Sequence, residues 1–222
     1  RGTVGESSDQ KGFGRWYGSH TKSFFWFFWS LISDFLGKNP VFHYIHIVRK
    51  NRILRQGSRY HVSVRVNNKE KLLTSFAAKQ IFLTVLCKAR KRYKFTIDDY
   101  VIMGNHIHLV IFPGKDESLS RIMQWILSVY AMIYNKRFNR SGHFWGERFF
   151  SRVIESFFDY LHTFNYIDKN PFVAGLVAKN RNWRFSGAFE HRIGRCTTVK
   201  PLPVHLQAFF PQHIRLALPE PK

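Results

Sequence analysis

Hydrophobic positions alternate with polar ones in some stretches and recur every three or four residues in others, and this switching of period lays out the fold. Tyr60-His61-Val62-Ser63-Val64-Arg65-Val66 alternates and is β-branched, predicting a strand that stops at Asn67-Asn68. Ala78, Ile81, Phe82, Val85 and Ala89 return at helical spacing and predict an amphipathic helix over about 74–92. A second strand runs from Phe95 to Met103, Gly104-Asn105 makes a hairpin-like break, and His106 to Phe112 forms a third strand. Leu119, Ile122, Met123, Ile126, Tyr130 and Ile133 mark a helix over about 118–138. Arg148 to Ile154 reads as a fourth strand, and Phe157, Tyr160, Leu161 and Phe164 open a final helix. The order β-α-β-β-α-β followed by a helix predicts an α+β, ferredoxin-like fold: a four-stranded antiparallel sheet with two helices on one face. The opposite face is left for the last helix or for a ligand.

The N-terminal part fits no such period. Residues 1–21 are Gly/Ser-rich and charged, and are expected to be disordered. The run from Phe24 to Ile32 is apolar but well short of the ~20 residues a membrane span needs. It reads as an accessory helix packing on the domain or a partner; a mis-started extension and a membrane contact are the other readings. No membrane partner is expected.

Composition narrows the partner. Hydrophobic residues make up 45% and aromatics 17%, enough to bury a core and to exclude global disorder. Lys and Arg number 35 against 14 Asp and Glu, a formal charge of +21, and such self-repulsion calls for a polyanion. Nucleic acid leads, ahead of an anionic membrane or an acidic protein. The two cysteines, Cys87 and Cys196, exclude a disulfide framework and a cysteine-based zinc site, and fit a reducing cytoplasm.

Candidate chemistry sits on the third strand and the last helix. Along a strand the side chains of Ile107, Leu109 and Ile111 point to one face and those of His106 and His108 to the other, about 7 Å apart at Cα. Two imidazoles so placed chelate a divalent metal if a third ligand arrives from elsewhere; otherwise they are exposed strand histidines. On the last helix Tyr166 and Asn170, at i and i+4, project together away from the apolar stripe of Phe157, Tyr160, Leu161 and Phe164. Pro171 disfavours helical geometry at Asn170, which is expected to cap the helix. Tyr160 is a rival nucleophile, but it lies on the apolar stripe and is expected in the core.

These residues carry a resemblance. Met103-Gly104-Asn105-His106-Ile107-His108-Leu109-Val110 resembles the His-hydrophobic-His motif of single-tyrosine transposases. The segment from Tyr166 through Asn170-Pro171 to Val177 resembles the tyrosine-helix signature of REP-associated tyrosine transposases, within the IS200-like group. The opening strand at Tyr60, the segment Phe144-Trp145-Gly146-Glu147-Arg148-Phe149 and the closing Trp183-Arg184-Phe185-Ser186 resemble further family elements, in the family's order. The similarity spans about residues 58–187, leaving residues 1–57 as an extension and 188–222 as a tail. Gly104 stands where the family usually has Pro before Asn-His.

The resemblance implies metal-dependent nicking and strand transfer on single-stranded or hairpin DNA, of REP type, by a monomer or homodimer. His106 and His108 would bind Mg²⁺ or Mn²⁺ with Asn170 as third ligand. Tyr166 would be the nucleophile, forming a 5′-phosphotyrosine and freeing a 3′-hydroxyl. Lys88, Arg90, Lys91, Arg92, Arg137, Arg140, Arg148 and Arg152 are the candidate DNA-binding residues. Trp145 reads equally as a base-stacking or a core residue. The alternative function is an inactive descendant that binds hairpin nucleic acid without cutting it. A membrane-associated basic protein is a weaker third reading.

Overall fold

A computed structural model describes residues 54–178 and 183–214. Four strands, β1 (Arg59–Arg65), β2 (Phe95–Ile102), β3 (His106–Pro113) and β4 (Phe150–Ile154), form one antiparallel sheet in the order β2-β3-β1-β4. Helix α1 (Phe76–Arg92) connects β1 to β2, and α2 (Leu119–Arg137) connects β3 to β4. This is the α+β, ferredoxin-like arrangement that the periodicity predicts. Helix α3 (Phe157–Val173) follows β4, and the described residues continue through the short helices α4 (Gly187–Arg192) and α5 (Val204–Gln207) to a turn at Pro211–His213. No described helix is long and apolar enough to cross a membrane.

Serine sets the start of helices α1 to α4. Ser75, Ser118, Ser156 and Ser186 each accept the backbone N–H three residues on, satisfying one of the donors a helix start leaves open. Each such cap stabilises its helix by about 1 kcal/mol.

The sheet is covered on both faces. Phe82, Val85 and Leu86 of α1 and Ile122, Ile126 and Tyr130 of α2 pack on Val62, Val64, Ile107, Leu109 and Ile111. A fully buried side chain of this size stabilises by about 1.5–3 kcal/mol. On the other face Phe164 and Ile167 of α3 join Val101, Met103, Val110 and Phe210 in a second cluster. β2 and β3 are therefore nearly continuous runs of buried residues, because neither face meets water. The closing Trp183-to-Ser186 segment seals the edge of β2. Trp183 Nε1 donates to the Ile102 carbonyl at 3.0 Å, and Ile102 N donates to the Phe185 carbonyl at 3.0 Å.

Three expectations need correction, and one open reading is decided. Asn170 is not a cap: α3 continues through Pro171 to Val173. The carbonyls at its end are satisfied by Leu176 N to Pro171 O and Gly175 N to Phe172 O, with Gly175 at φ +67, a Schellman closure that only a residue tolerant of left-handed backbone completes. Phe157 is 43% exposed, so the buried stripe of α3 centres instead on Thr163, Phe164, Ile167, Asp168 and Pro171. β4 begins at Phe150, because Gly146 bonds back to Arg65 and the chain leaves the ladder before rejoining it. Trp145 is a packed residue: its indole N–H donates to the Leu127 carbonyl at 2.9 Å, and its ring meets Phe82, Tyr130 and Phe144. The apolar segment from Phe24 to Ile32 lies outside the described residues.

Candidate active site

Strand alternation turns His106 and His108 towards the face that α3 covers, and the neighbouring strand adds to them. In register Arg65 lies opposite His106 and Ser63 opposite His108. His61, two residues further along β1, shares this face. Its Nε2 lies 3.0 Å from His108 Nδ1, with the two rings stacked at 5.1 Å. The rings of His106 and His108 are 5.1 Å apart. Tyr166 of α3 closes the group, its ring edge-on to His108 at 5.3 Å and to His61 at 5.8 Å.

Hydrogen bonds fix which atoms face inward. The Lys69 carbonyl can only accept, so the Asn105 carboxamide turns its Nδ2 to it at 3.0 Å. Asn105 Oδ1 then faces His106 Nδ1 at 2.8 Å and must be the acceptor, which leaves His106 Nε2 with a lone pair. Asn170 is oriented in the same way. Its Nδ2 donates to the Tyr166 carbonyl at 2.7 Å, so Oδ1 is the atom 3.5 Å from His106 Nε2. With His106 neutral and protonated at Nδ1, the two atoms are both acceptors, 3.5 Å apart. That pairing suits a cation. His106, His108 and Asn170 present nitrogen and oxygen atoms of the kind that a divalent ion takes.

The electrostatics keep the imidazoles neutral. Burial holds His108 down at about 3, aided by the neighbouring His61, His106 and Arg65. Burial lowers His61 to about 4, with the Arg152 charge adding to it, and burial also lowers His106. Neutral imidazole is the metal-binding form. Tyr166 is 53% exposed, open to a substrate. Tyr160 donates its hydroxyl to Asp98 at 3.1 Å and packs on Phe164 and Phe210, and burial raises its phenol further out of reach of ionisation.

The candidate DNA-binding residues do not form one cluster: Arg152 stands opposite His61 in register, beside the site, while the α1 group lies away from it. Lys88, Arg90, Lys91 and Arg92 end α1, which packs on the face opposite to His106 and runs into the start of β2 rather than its hairpin end. Arg90 donates to the Thr197 and Thr198 carbonyls at 2.9 and 3.2 Å, and Arg140 grips Glu70 with both nitrogens at 2.9 and 3.1 Å. Arg152 binds Asp159 and Thr163, tying β4 to α3. Arg137 is exposed at the end of α2. Arg148 is also exposed, two residues past the Gly146 bond to Arg65, and so lies at the His106 end of the sheet. Sequence reasoning passed over His61, Arg65 and the orienting role of Asn105. Alternation along β1 does place His61 and Arg65 on one face, but only the register shows which histidines they meet.

The description "Transposase IS200 like" matches residues 55–170, just over half of the chain and ending at Asn170. Among solved structures, the REP-associated tyrosine transposase bound to a REP hairpin is similar at 23% identity and TM-score 0.57, covering 66% of this chain and 85% of that one. A transposase structure from Deinococcus radiodurans r1 has 13% identity and TM-score 0.41, over 58% of this chain and 97% of that one. No curated protein matches. With its ferredoxin-like sheet, its paired strand histidines and the family match across them, the chain belongs to the IS200-like transposases.

Proposed function

We propose that this transposase nicks and rejoins single-stranded DNA at hairpin, REP-like sequences, within a catalytic domain spanning residues 58–187. The observation that carries the reading is the pair of facing acceptors, His106 Nε2 and Asn170 Oδ1, beside the neutral His108 and the half-exposed Tyr166. His106, His108 and Asn170 hold a divalent metal. When bound, it draws charge from the phosphoryl oxygen and helps orient the strand.

Tyr166 Oη forms the new bond to phosphorus and the bond to the 3′ oxygen breaks. That oxygen leaves as a 3′-hydroxyl after taking up a proton, and the phenol proton passes to solvent. The 5′-phosphotyrosine conserves the phosphodiester bond, so an incoming 3′-hydroxyl reverses the step and joins a new strand. Arg65 and Arg148 flank this end of the sheet and suit the phosphates entering it. The similar REP-associated enzyme is bound to a REP hairpin, which supports hairpin DNA as the substrate class.

The test is a hairpin oligonucleotide labelled on the 3′ side of the cut, with Mg²⁺ or Mn²⁺. Label transfers covalently to the protein, and Tyr166→Phe or chelation abolishes the transfer. Undiminished adduct in Tyr166→Phe overturns the assignment. Hairpin binding without any adduct in the unaltered protein indicates the non-cutting alternative.

A further inference from the structure

Beneath α3, on the side turned from the candidate active site, lies a second group of polar side chains that the proposed reaction does not use. Asp99 of β2, Asp168 of α3 and His213 of the C-terminal turn are 0%, 2% and 2% exposed. One ligand atom from each lies within 4.8 Å of the others. Asp99 stands opposite Val110 in the sheet, and Gly187, the first residue of α4, packs against its Oδ1 so closely that a Cβ there would collide.

Hydrogen-bond polarity restricts what this group can be. The Lys200 carbonyl only accepts, so His191 Nε2 donates to it at 2.9 Å. A neutral His191 ring that donates from Nε2 carries its lone pair at Nδ1. His213 Nδ1, 2.6 Å away, must then donate, and His213 Nε2 is the atom left facing Asp168 Oδ2 at 2.9 Å. Neither oxygen of Asp99 has a hydrogen-bond partner among the described residues. An unpartnered carboxylate at full burial is costly, and a second carboxylate beside it adds repulsion. Asp98 is no help: it is committed to Arg59 at 2.6 Å and to Tyr160. A divalent cation resolves all of this together. It neutralises two carboxylates, fills the unpartnered position at Asp99 and takes the His213 lone pair. Donor atoms within 4.8 Å of one another need only small side-chain adjustments to gather round one ion with bonds of about 2.0–2.2 Å.

We propose that Asp99, Asp168 and His213 form a second, buried metal site for a first-row divalent ion of the Zn²⁺ kind, with a structural role. The site joins β2, the tyrosine helix and the C-terminal turn, and Asp168 lies two residues beyond Tyr166. Bound metal therefore fixes the helix that carries the candidate nucleophile. It also fastens residues 199–214 to the domain.

The experiment uses the full chain carrying H106A and H108A, which removes both imidazoles of the candidate catalytic centre and makes the result independent of DNA cleavage. After equilibration with Zn²⁺ and desalting, elemental mass spectrometry should find one equivalent per chain. Zn²⁺ at a thousandfold excess over Kd should raise Tm by about 10 °C. Adding D99N, which keeps the shape of the side chain, should remove both the retained metal and the shift. H213Q serves in the same way if D99N does not fold. Metal-free H106A/H108A protein with an unmoved Tm overturns the site and leaves a shared proton in its place. Zn²⁺ retained at one equivalent after both D99N and H213Q also overturns it.

Discussion

His61 makes the sharpest test of how the catalytic metal would be held. For His108 to offer Nε2 to an ion, its Nδ1 must carry the proton, and its partner among the described residues is His61 Nε2 at 3.0 Å. His61 thus selects the tautomer of His108 and fixes its ring, the task an outer hydrogen bond performs for most metal-bound histidines. His61→Ala removes that acceptor from a pocket where His108 is 5% exposed, so water does not readily replace it. A buried donor left unsatisfied costs about 1–3 kcal/mol. That range overlaps the ~10–100-fold loss of metal affinity expected from removing an outer partner.

The assay is Mn²⁺ titration followed by the electron paramagnetic resonance of the free ion, at pH 8, where the imidazoles are neutral. Kd should rise about 10–100-fold in His61→Ala. His61→Gln, whose Oε1 can accept from Nδ1–H, should recover a large part of it, a rescue that a merely space-filling role would not predict. A folded His61→Ala protein with unchanged Mn²⁺ affinity refutes the reasoning.

Other consequences follow from the same geometry. Phe164→Ala empties the centre of the cluster that seats α3, where the ring is 0% exposed. It should cost about 3–5 kcal/mol and lower Tm by roughly 10 °C in a thermal circular-dichroism melt. A shift of only a degree or two would mean that α3 is not seated as described. Tyr160→Phe should keep adduct formation and lose about 1 kcal/mol in urea denaturation, for its bond to Asp98; loss of the adduct would reopen Tyr160 as nucleophile. In chelator, His61 and His108 titrate at about 4 and about 3 in the folded protein, against an ordinary 6.5. Between those values the unfolded chain binds more protons, so stability is complete above pH 6.5 and falls as pH drops towards the folded values. By pH 5 the loss should be on the order of 2 kcal/mol per histidine, read from urea midpoints and flattened in His61→Gln/His108→Gln. An unchanged slope in that variant would place the titration elsewhere.

The elements were legible because burial imposes period. β1 to β3 and α1 to α3 follow the spacing of their apolar residues, and the serine caps mark where the helices start. Pairwise tertiary facts were not legible. Arg90 finds its acceptor 107 residues away and Arg140 its carboxylate 70 residues away, so both look like free surface charge in the sequence. His61 lies 47 residues before His108, and only the β1–β3 register brings their rings together. Pro171 misled for a local reason. Its bias against a helical residue before it is real, yet three residues from the end of α3 the Schellman closure and tertiary packing outweigh it.

Asn170 shows how the helix and the strand become a single site. A carboxamide at a helix surface ordinarily has both ends free to turn. Here its nitrogen is tied to the Tyr166 carbonyl one turn earlier, so its oxygen is committed towards His106 by the helix itself. Any rotation of α3 that moved Tyr166 would carry Asn170 Oδ1 with it and open the gap to His106 Nε2. In the proposed reaction nucleophile and third ligand are therefore positioned by one rigid body. That body is held by Phe164 and Ile167 in the apolar cluster and by the Arg152 bonds to Asp159 and Thr163. Metal affinity should then report on the seating of the tyrosine helix even without DNA. Phe164→Ala, whose ring packs on Tyr160, Phe210 and His213 rather than on His106, His108 or Asn170, should weaken Mn²⁺ binding at those three residues alongside its effect on Tm. Unaltered Mn²⁺ affinity in that variant would show that Asn170 does not contribute to holding the ion.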